Sequence, residues 1–163
     1  MLLVRKATTE DYNVILGIYE IAREFMIRTG NPNQWKRTNL TAEQIRTDID
    51  QGICHVICDE SRIHGVFALC QGEDPTYKSI EGGQWLNQNP YVTIHRIASD
   101  QKAHGILAAA IDECKKYEDN IRIDTHKDNK VMQQAFEKHG FKHCGVIYIL
   151  NGAPREAYQL VVK

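Results

Sequence analysis

An α/β fold built on a mixed sheet of about seven strands, with helices on both faces, is predicted by three features of the chain. Short apolar or alternating runs recur along it, bounded by Gly, Pro, Asn and Asp, as strands are. Segments with apolar residues three and four apart lie between them, as helices require. Hairpin-like spacing in the first half gives way to strand–helix–strand spacing in the second, so antiparallel and parallel neighbours share one sheet. The order read this way is β-α-α-β-β-β-α-β-α-β-β. It fills one domain, residues 1–163, because 163 residues suit a single core and no repeat, linker or low-complexity run divides them.

The elements follow in order. Leu2 to Arg5 is a short apolar run and reads as the first strand. Thr8-Thr9-Glu10-Asp11 opens a helix with a hydroxyl cap and early acids; Val14, Ile18, Ile21, Ala22, Phe25 and Met26 give it one apolar face. Gly30-Asn31-Pro32-Asn33 ends it, and Gln34-Trp35 follow in the loop, the Trp as packing plug or ligand wall. Thr41 with Gln44 forms a capping box for a second helix that Gly52 stops. Ile53–Cys58 and Ile63–Cys70 flank the turn Asp59-Glu60-Ser61-Arg62 and read as a hairpin. Residues 72–89 form a long irregular stretch with Tyr77 and Trp85, either a functional loop or a surface excursion.

Tyr91 to Ala98 is the fourth strand, its alternation placing Val92, Ile94 and Arg96 opposite Thr93, His95 and Ile97. A helix with Leu107, Ala110, Ile111 and Cys114 at core spacing follows, then a strand at Ile121–Thr125. Asp128 or Asn129 caps a further helix, in which Met132 and Phe136 share a face and which Gly140 terminates. Phe141–Leu150 and Glu156–Val162, joined by Asn151-Gly152-Ala153-Pro154, close the chain as antiparallel strands.

Bulk properties remove several classes of function. A formal net charge of -1 gives no electrostatic footprint for nucleic acid. No apolar run reaches the ~20 residues of a membrane span, and MLLVRKATTEDY has no signal-peptide pattern. The five cysteines form no CxxC and lie mostly in apolar runs, so they are read as reduced and buried in a cytoplasmic protein. His139 and His143 are separated by Gly140 and no HExxH or Cys/His cluster occurs, so no metal site is expected.

Chemistry concentrates in Tyr91–Lys116, a buried strand, a short basic loop and a helix. The first four N–H groups of a helix lack partners and sit at the positive end of its dipole, which makes the turn through Lys102, His104 and Gly105 an anion site. A phosphate-bearing ligand fits it.

With HRIASDQKAHGILAAAI and NKVMQQAFEKHGF in these positions, the chain resembles the GNAT superfamily of acyl-CoA N-acetyltransferases over nearly its whole length. NPNQW, GEDPTY, RIDTHKDN and CGVIY together are similar to a bacterial subfamily of unassigned substrate. The resemblance implies acetyl-CoA or coenzyme A as co-substrate, bound across the gap between the fourth and fifth strands. It implies that Ile97, Ala98 and Ser99 hold the pantetheine and polarise the thioester, that the N–H groups of Lys102, Ala103, His104 and Gly105 take the pyrophosphate, and that Asn129 reaches the pantetheine arm. It also implies an acceptor amine, on a small molecule or a protein, without nucleic acid or membrane partners; the closing hairpin and the Trp85 loop offer a surface for a homodimer.

Two departures from the family pattern stand out. Asp100-Gln101-Lys102-Ala103-His104-Gly105 is shorter than the usual loop and keeps only its last Gly. Phe136 stands in the cofactor site where the family usually has the Tyr that protonates the leaving thiolate; Tyr148 or Tyr158 are the substitutes, or the thiolate leaves unaided. A catalytically inactive acyl-CoA-binding or sensor protein is the alternative reading. Acetyl transfer to an amine needs a neutral nucleophile, hence a base. His95 on the fourth strand, His126 beside Asp124 and Asp128, and Glu73 and Asp74 in the long loop are the candidates, each with a structural role as the competing account. Arg96 and Arg122, set in apolar strands, need partners if buried, and Asp124 or Glu156 are at hand.

Overall fold

A computed structural model describes residues 1–35 and 40–162. Seven strands form one sheet: β1 (Leu3–Lys6), β2 (Cys54–Cys58), β3 (Ile63–Gln71), β4 (Val92–Ser99), β5 (Asn120–Thr125), β6 (Lys142–Tyr148) and β7 (Pro154–Val161). The spatial order is β1-β2-β3-β4-β5-β7-β6. Neighbours are antiparallel except β4 and β5, which are parallel. Among the described residues four α-helices complete the fold: α1 (Tyr12–Arg28), α2 (Ala42–Asp50), α3 (Ile106–Cys114) and α4 (Lys130–Lys138). The predicted order of strands and helices is the observed one.

The sheet buries different residues on its two faces. On one, Val92, Ile94, Ile97, Ile121, Ile123 and Tyr158 pack with Leu107, Ala110 and Ile111 of α3 and Phe136 of α4. On the other, Val56, Val66 and Ala98 pack under α1 and α2, together with Trp35, whose ring meets Tyr19 edge-on at 5.5 Å. Trp35 is thus a plug of the core. The long loop finishes this second face: Tyr77, Trp85 and Tyr91 pack on Ile147 and Ala157 beyond β5. Residues 72–89 are therefore a packed cover, pinned by the Glu81–Val146 bridge, and Trp85 is buried inside its own chain.

The first helix begins later than the sequence implies. Thr9–Asp11 form a single tight turn, because the Asp11 carboxylate accepts from the Thr8 N–H at 2.8 Å and from Arg5 at 2.8 and 3.0 Å. The Thr41 cap is as read: its hydroxyl accepts from the Gln44 N–H at 3.1 Å.

The strict alternation expected for β4 fails at Arg96. That residue has φ +53°, and the β3–β4 register shifts there. The bulge puts Ile97 in the same core as Val92 and Ile94, not beside His95. It turns the Arg96 guanidinium towards α2, where Asp48 takes it bidentately at 2.8 and 3.0 Å. Tyr19 clamps the bulge by donating its hydroxyl to the Arg96 carbonyl at 2.8 Å. Arg122, by contrast, is held by aromatic rings and a main-chain carbonyl. Its guanidinium lies between Trp85 and Tyr91, 4.0 Å from each ring centroid, and donates to the Asn87 carbonyl.

All five cysteines are unpaired thiols. Burial pushes the Cys54 thiol up to about 12 and the Cys70 thiol up to about 11, as expected for small core residues rather than nucleophiles. Among the described residues no group of His, Cys, Asp and Glu is arranged to hold a metal ion, and no helix is long and apolar enough to cross a membrane.

Candidate active site

The parallel strands β4 and β5 pair only at Val92–Ile121 and Thr93–Arg122. Beyond these pairs they part, and the bulge at Arg96 lies in the unpaired stretch. A fork in a sheet exposes backbone groups that a ligand can satisfy, at the strand ends where α/β folds place their ligands.

Against this fork lies a cavity of about 260 Å³ lined by Ile97, Ala98, Ser99, Ala103, His104, Gly105 and Asn129, with Phe25 and Met26 of α1 and Met132 of α4. Seven of the residues expected at the cofactor thus meet around one space. Two others do not. Lys102 is absent from the lining, and its N–H donates to Asp100 Oδ1 at 2.9 Å. Phe136 is fully buried against Phe141 and Tyr158 in the core.

Gly105 is the N-cap of α3 with φ +86°. A left-handed backbone costs an L-residue roughly 1–2 kcal/mol, so glycine is the residue that lets the chain turn into the helix here. A Trp at this position would be strained at φ +86° and would start its side chain towards Leu2 Cδ1, 3.9 Å from the added Cβ, so the turn that carries the helix N-terminus would have to shift. Gly105→Trp is expected to abolish binding of acetyl-CoA, measured by titration calorimetry, while Gly105→Ala weakens it.

The loop ahead of Gly105 is anchored by a histidine between two acids. His64 is buried; its Nδ1 lies 2.8 Å from Asp100 Oδ2 and its Nε2 2.7 Å from Asp59 Oδ2. Both ring nitrogens can donate only if the ring is an imidazolium. The Asp59 bond, and against burial the Asp100 bond, hold the His64 pKa above 6.5. A raised folded-state value gives a contribution to stability that is complete below about 6.5 and is lost as pH rises through the folded-state value. The melting temperature should therefore fall over that window, and His64→Phe should remove this part of the slope in a pH series of thermal unfolding. The same charge offsets the Asp100 carboxylate beneath a loop read as an anion site.

On the face of the fork covered by the long loop, His95 Nε2 bonds Asp74 Oδ2 at 2.8 Å. Burial raises the Asp74 carboxyl, but the bonds from His95 and Thr76 outweigh it and bring it to about 2. An ionised Asp74 accepts the hydrogen bond that Nε2–H donates, and so leaves Nδ1 as the nitrogen with the lone pair. No described residue bonds that Nδ1. The ring is about a quarter exposed, open enough to meet a substrate. Tyr77 packs beside His95 with ring centroids 6.1 Å apart and donates its hydroxyl to Asp124 Oδ2 at 2.6 Å. Burial, and then the Asp124 charge, push the Tyr77 hydroxyl well above its ordinary value, so it stays a neutral donor.

None of the remaining candidates lines the cavity at the fork. Glu73 is exposed and lines a separate cavity of about 570 Å³ with Trp85 and Arg122. His126 follows β5; its Nδ1 accepts from the Asp128 N–H at 3.0 Å and lies 3.6 Å from that carboxylate. Tyr148 is exposed with its hydroxyl on Glu81 at 2.9 Å. Tyr158 donates to Gln133 at 3.1 Å, and burial pushes it up to about 12. Neither tyrosine lines the cavity at the fork.

Asp74, one of the candidate acids, is found as the partner of His95, and Gln34 takes a place that the sequence did not mark as functional. Asp74 was one of two loop acids, and nothing in a turn sequence pairs it with a strand histidine 21 positions on. Gln34, in the loop between α1 and α2, buries its side chain; Oε1 accepts from Thr125 Oγ1 at 2.9 Å, Asn31 Nδ2 at 3.0 Å, Asn129 Nδ2 at 3.1 Å and the His126 N–H at 3.2 Å. Only its adjacency to a Trp between two helices marked it.

Neither a family model nor a curated protein matches the chain. Solved structures do. A GNAT-family acetyltransferase from Streptococcus agalactiae is 27% identical, with a TM-score of 0.88 over 99% of this chain and 96% of that one. An N-acetyltransferase from Staphylococcus aureus is 20% identical, with a TM-score of 0.64 over 100% and 99%. The ribosomal-protein-S18-alanine N-acetyltransferase from Escherichia coli is 13% identical, with a TM-score of 0.63 over 100% and 95%. The fold is that of the GNAT acetyltransferases, and the resemblance to that superfamily read from the sequence holds over the whole chain.

Proposed function

We propose that the protein is an N-acetyltransferase that moves an acetyl group from acetyl-CoA directly to a primary amine, with His95 as the general base. The observation that carries this reading is the His95–Asp74 pair at the same fork as the cavity of Ile97, Ser99, Gly105 and Asn129. The GNAT fold of the solved neighbours supports acyl transfer as the class of reaction.

Coenzyme A fits the residues present. Ser99, Gly105 and Asn129 offer polar contacts along the cavity, Met26, Ile97 and Met132 offer apolar ones, and the N-terminus of α3 offers dipole and free N–H groups for a phosphate. The bound thioester supplies the activated acetyl group. The chain's own part is to hold that arm at the fork, to present backbone N–H groups near Ile97 to the developing oxyanion, and to keep a base beside the incoming amine. An ammonium entering near Asp74 gives a proton to His95 Nδ1, the neutral amine then attacks the thioester carbonyl, and as the C–S bond breaks the second N–H proton passes to the departing thiolate or to water. The charge of the resulting imidazolium is balanced by Asp74 across 2.8 Å. No acid on the leaving group is needed, because a thiolate is a tolerable leaving group near neutral pH. The acceptor is an amine on a small molecule or a protein.

Incubation of the protein with acetyl-CoA and a panel of primary amines, read by free-thiol release, tests this. Amine-dependent thiol release is expected. Binding of acetyl-CoA with no release across polyamines, amino acids, aminoglycosides and peptide N-termini would favour an acyl-CoA sensor instead.

A further inference from the structure

The Gln34 side chain makes an unusual set of bonds. A carbonyl oxygen has two lone pairs, yet four donors converge on Oε1. They come from three places: Asn31 of the same loop, Thr125 and His126 at the end of β5, and Asn129 at the cap of α4. Of the four, the His126 N–H is a main-chain group just past the end of β5, and the other three are side-chain donors. Gln34 supplies their shared acceptor.

We propose that Gln34 is a positioning residue for the thioester arm, acting through Asn129. This rests on the reading of the cavity as the acetyl-CoA site. Asn129 lines that cavity, and its amide is committed at both ends. Oδ1 accepts the Met132 N–H at 3.1 Å, which caps α4, and Nδ2 donates to Gln34 at 3.1 Å. An amide held at both ends cannot flip. One N–H of Nδ2 and one lone pair of Oδ1 remain, in fixed directions, for an amide of the ligand. The same oxygen fixes Thr125 and His126, so the open end of β5 keeps its distance from β4. Gln34 is held in turn from the loop side: Arg155 Nη2 donates to its carbonyl at 3.4 Å, and Arg23 Nε donates to the next carbonyl, of Trp35, at 2.7 Å. The loop between α1 and α2 is thereby coupled to the wall of the cofactor cavity.

The test uses titration calorimetry with acetyl-CoA and thermal unfolding on the full chain. Gln34→Leu keeps the bulk and removes the acceptor; affinity should drop about tenfold or more, the cost of leaving buried donors unpaired in a site that must present them. Gln34→Glu keeps an acceptor oxygen for the four donors on Oε1, and should bind within about threefold of the unaltered protein. In an Asn129→Ala background, Gln34→Leu should cost less than about twofold, because the group it positions is gone. Equal loss from Gln34→Leu with and without Asn129, or a Gln34→Glu variant as weak as Gln34→Leu, would overturn the proposal. So would a folded Gln34→Leu variant that binds like the unaltered protein. If the unaltered protein binds no acetyl-CoA, it is the cofactor reading itself that fails.

Discussion

His95→Ala should lower kcat for amine acetylation by about 10²–10⁴-fold, the range set by removing a positioned general base. Affinity for acetyl-CoA should change little, because His95 is not among the residues lining the cavity. Asp74→Asn should cost less than His95→Ala. The ring stays in place, but Asn offers either an amide oxygen or an N–H to Nε2, and the tautomer with a basic Nδ1 is no longer enforced. Since Asp74 titrates at about 2, its charge is constant throughout the neutral range. A rising limb of a kcat/KM profile in the neutral range should therefore not come from Asp74. Steady-state kinetics across pH checks each point. An unchanged kcat in His95→Ala would remove this residue from the mechanism.

The second large effect is on stability. Asp48→Ala should destabilise the protein by about 3–5 kcal/mol, measured by denaturant unfolding, because it leaves a mostly buried guanidinium without its counter-ion. Asp48 is 2% exposed and takes both bonds of Arg96; the burial that would lower the Arg96 pKa is outweighed by the Asp48 charge, and the net shift is upward. Arg96 also carries the φ of +53° on which the bulge depends. Losing Asp48 should thus loosen the fork as well as the fold. Replacing Arg96 and Asp48 together by Met and Leu should recover a good part of the loss, since apolar groups need no counter-ion.

Much of the architecture was legible because it depends on local pattern. Periods of two and of three to four residues separate strands from helices, and Gly30, Gly52, Gly105 and Gly140 fall at helix ends with positive φ. The strand–loop–helix around Gly105 was legible for the same reason. What could not be read depends on contacts between distant residues. A bulge inverts the side-chain alternation after Arg96, and no composition marks it. Arg96 finds Asp48, 48 positions away, rather than a neighbouring acid, because the bulge turns it towards α2. Asp100 consumes the Lys102 N–H that the anion loop was expected to offer, and His64, far back in the hairpin, compensates the charge. The loop acid that reaches His95 is Asp74, while Glu73 faces the neighbouring cavity, a choice set by the turn at Pro75–Tyr77.

The measurement that bears most directly on the central claim is titration of acetyl-CoA and of free CoA into the protein, with Gly105→Trp as control. The account predicts binding on the order of micromolar for the unaltered chain and none for the variant. Absence of binding at millimolar ligand would contradict it, and would mean that the shortened loop from Asp100 to Gly105 no longer holds the pyrophosphate.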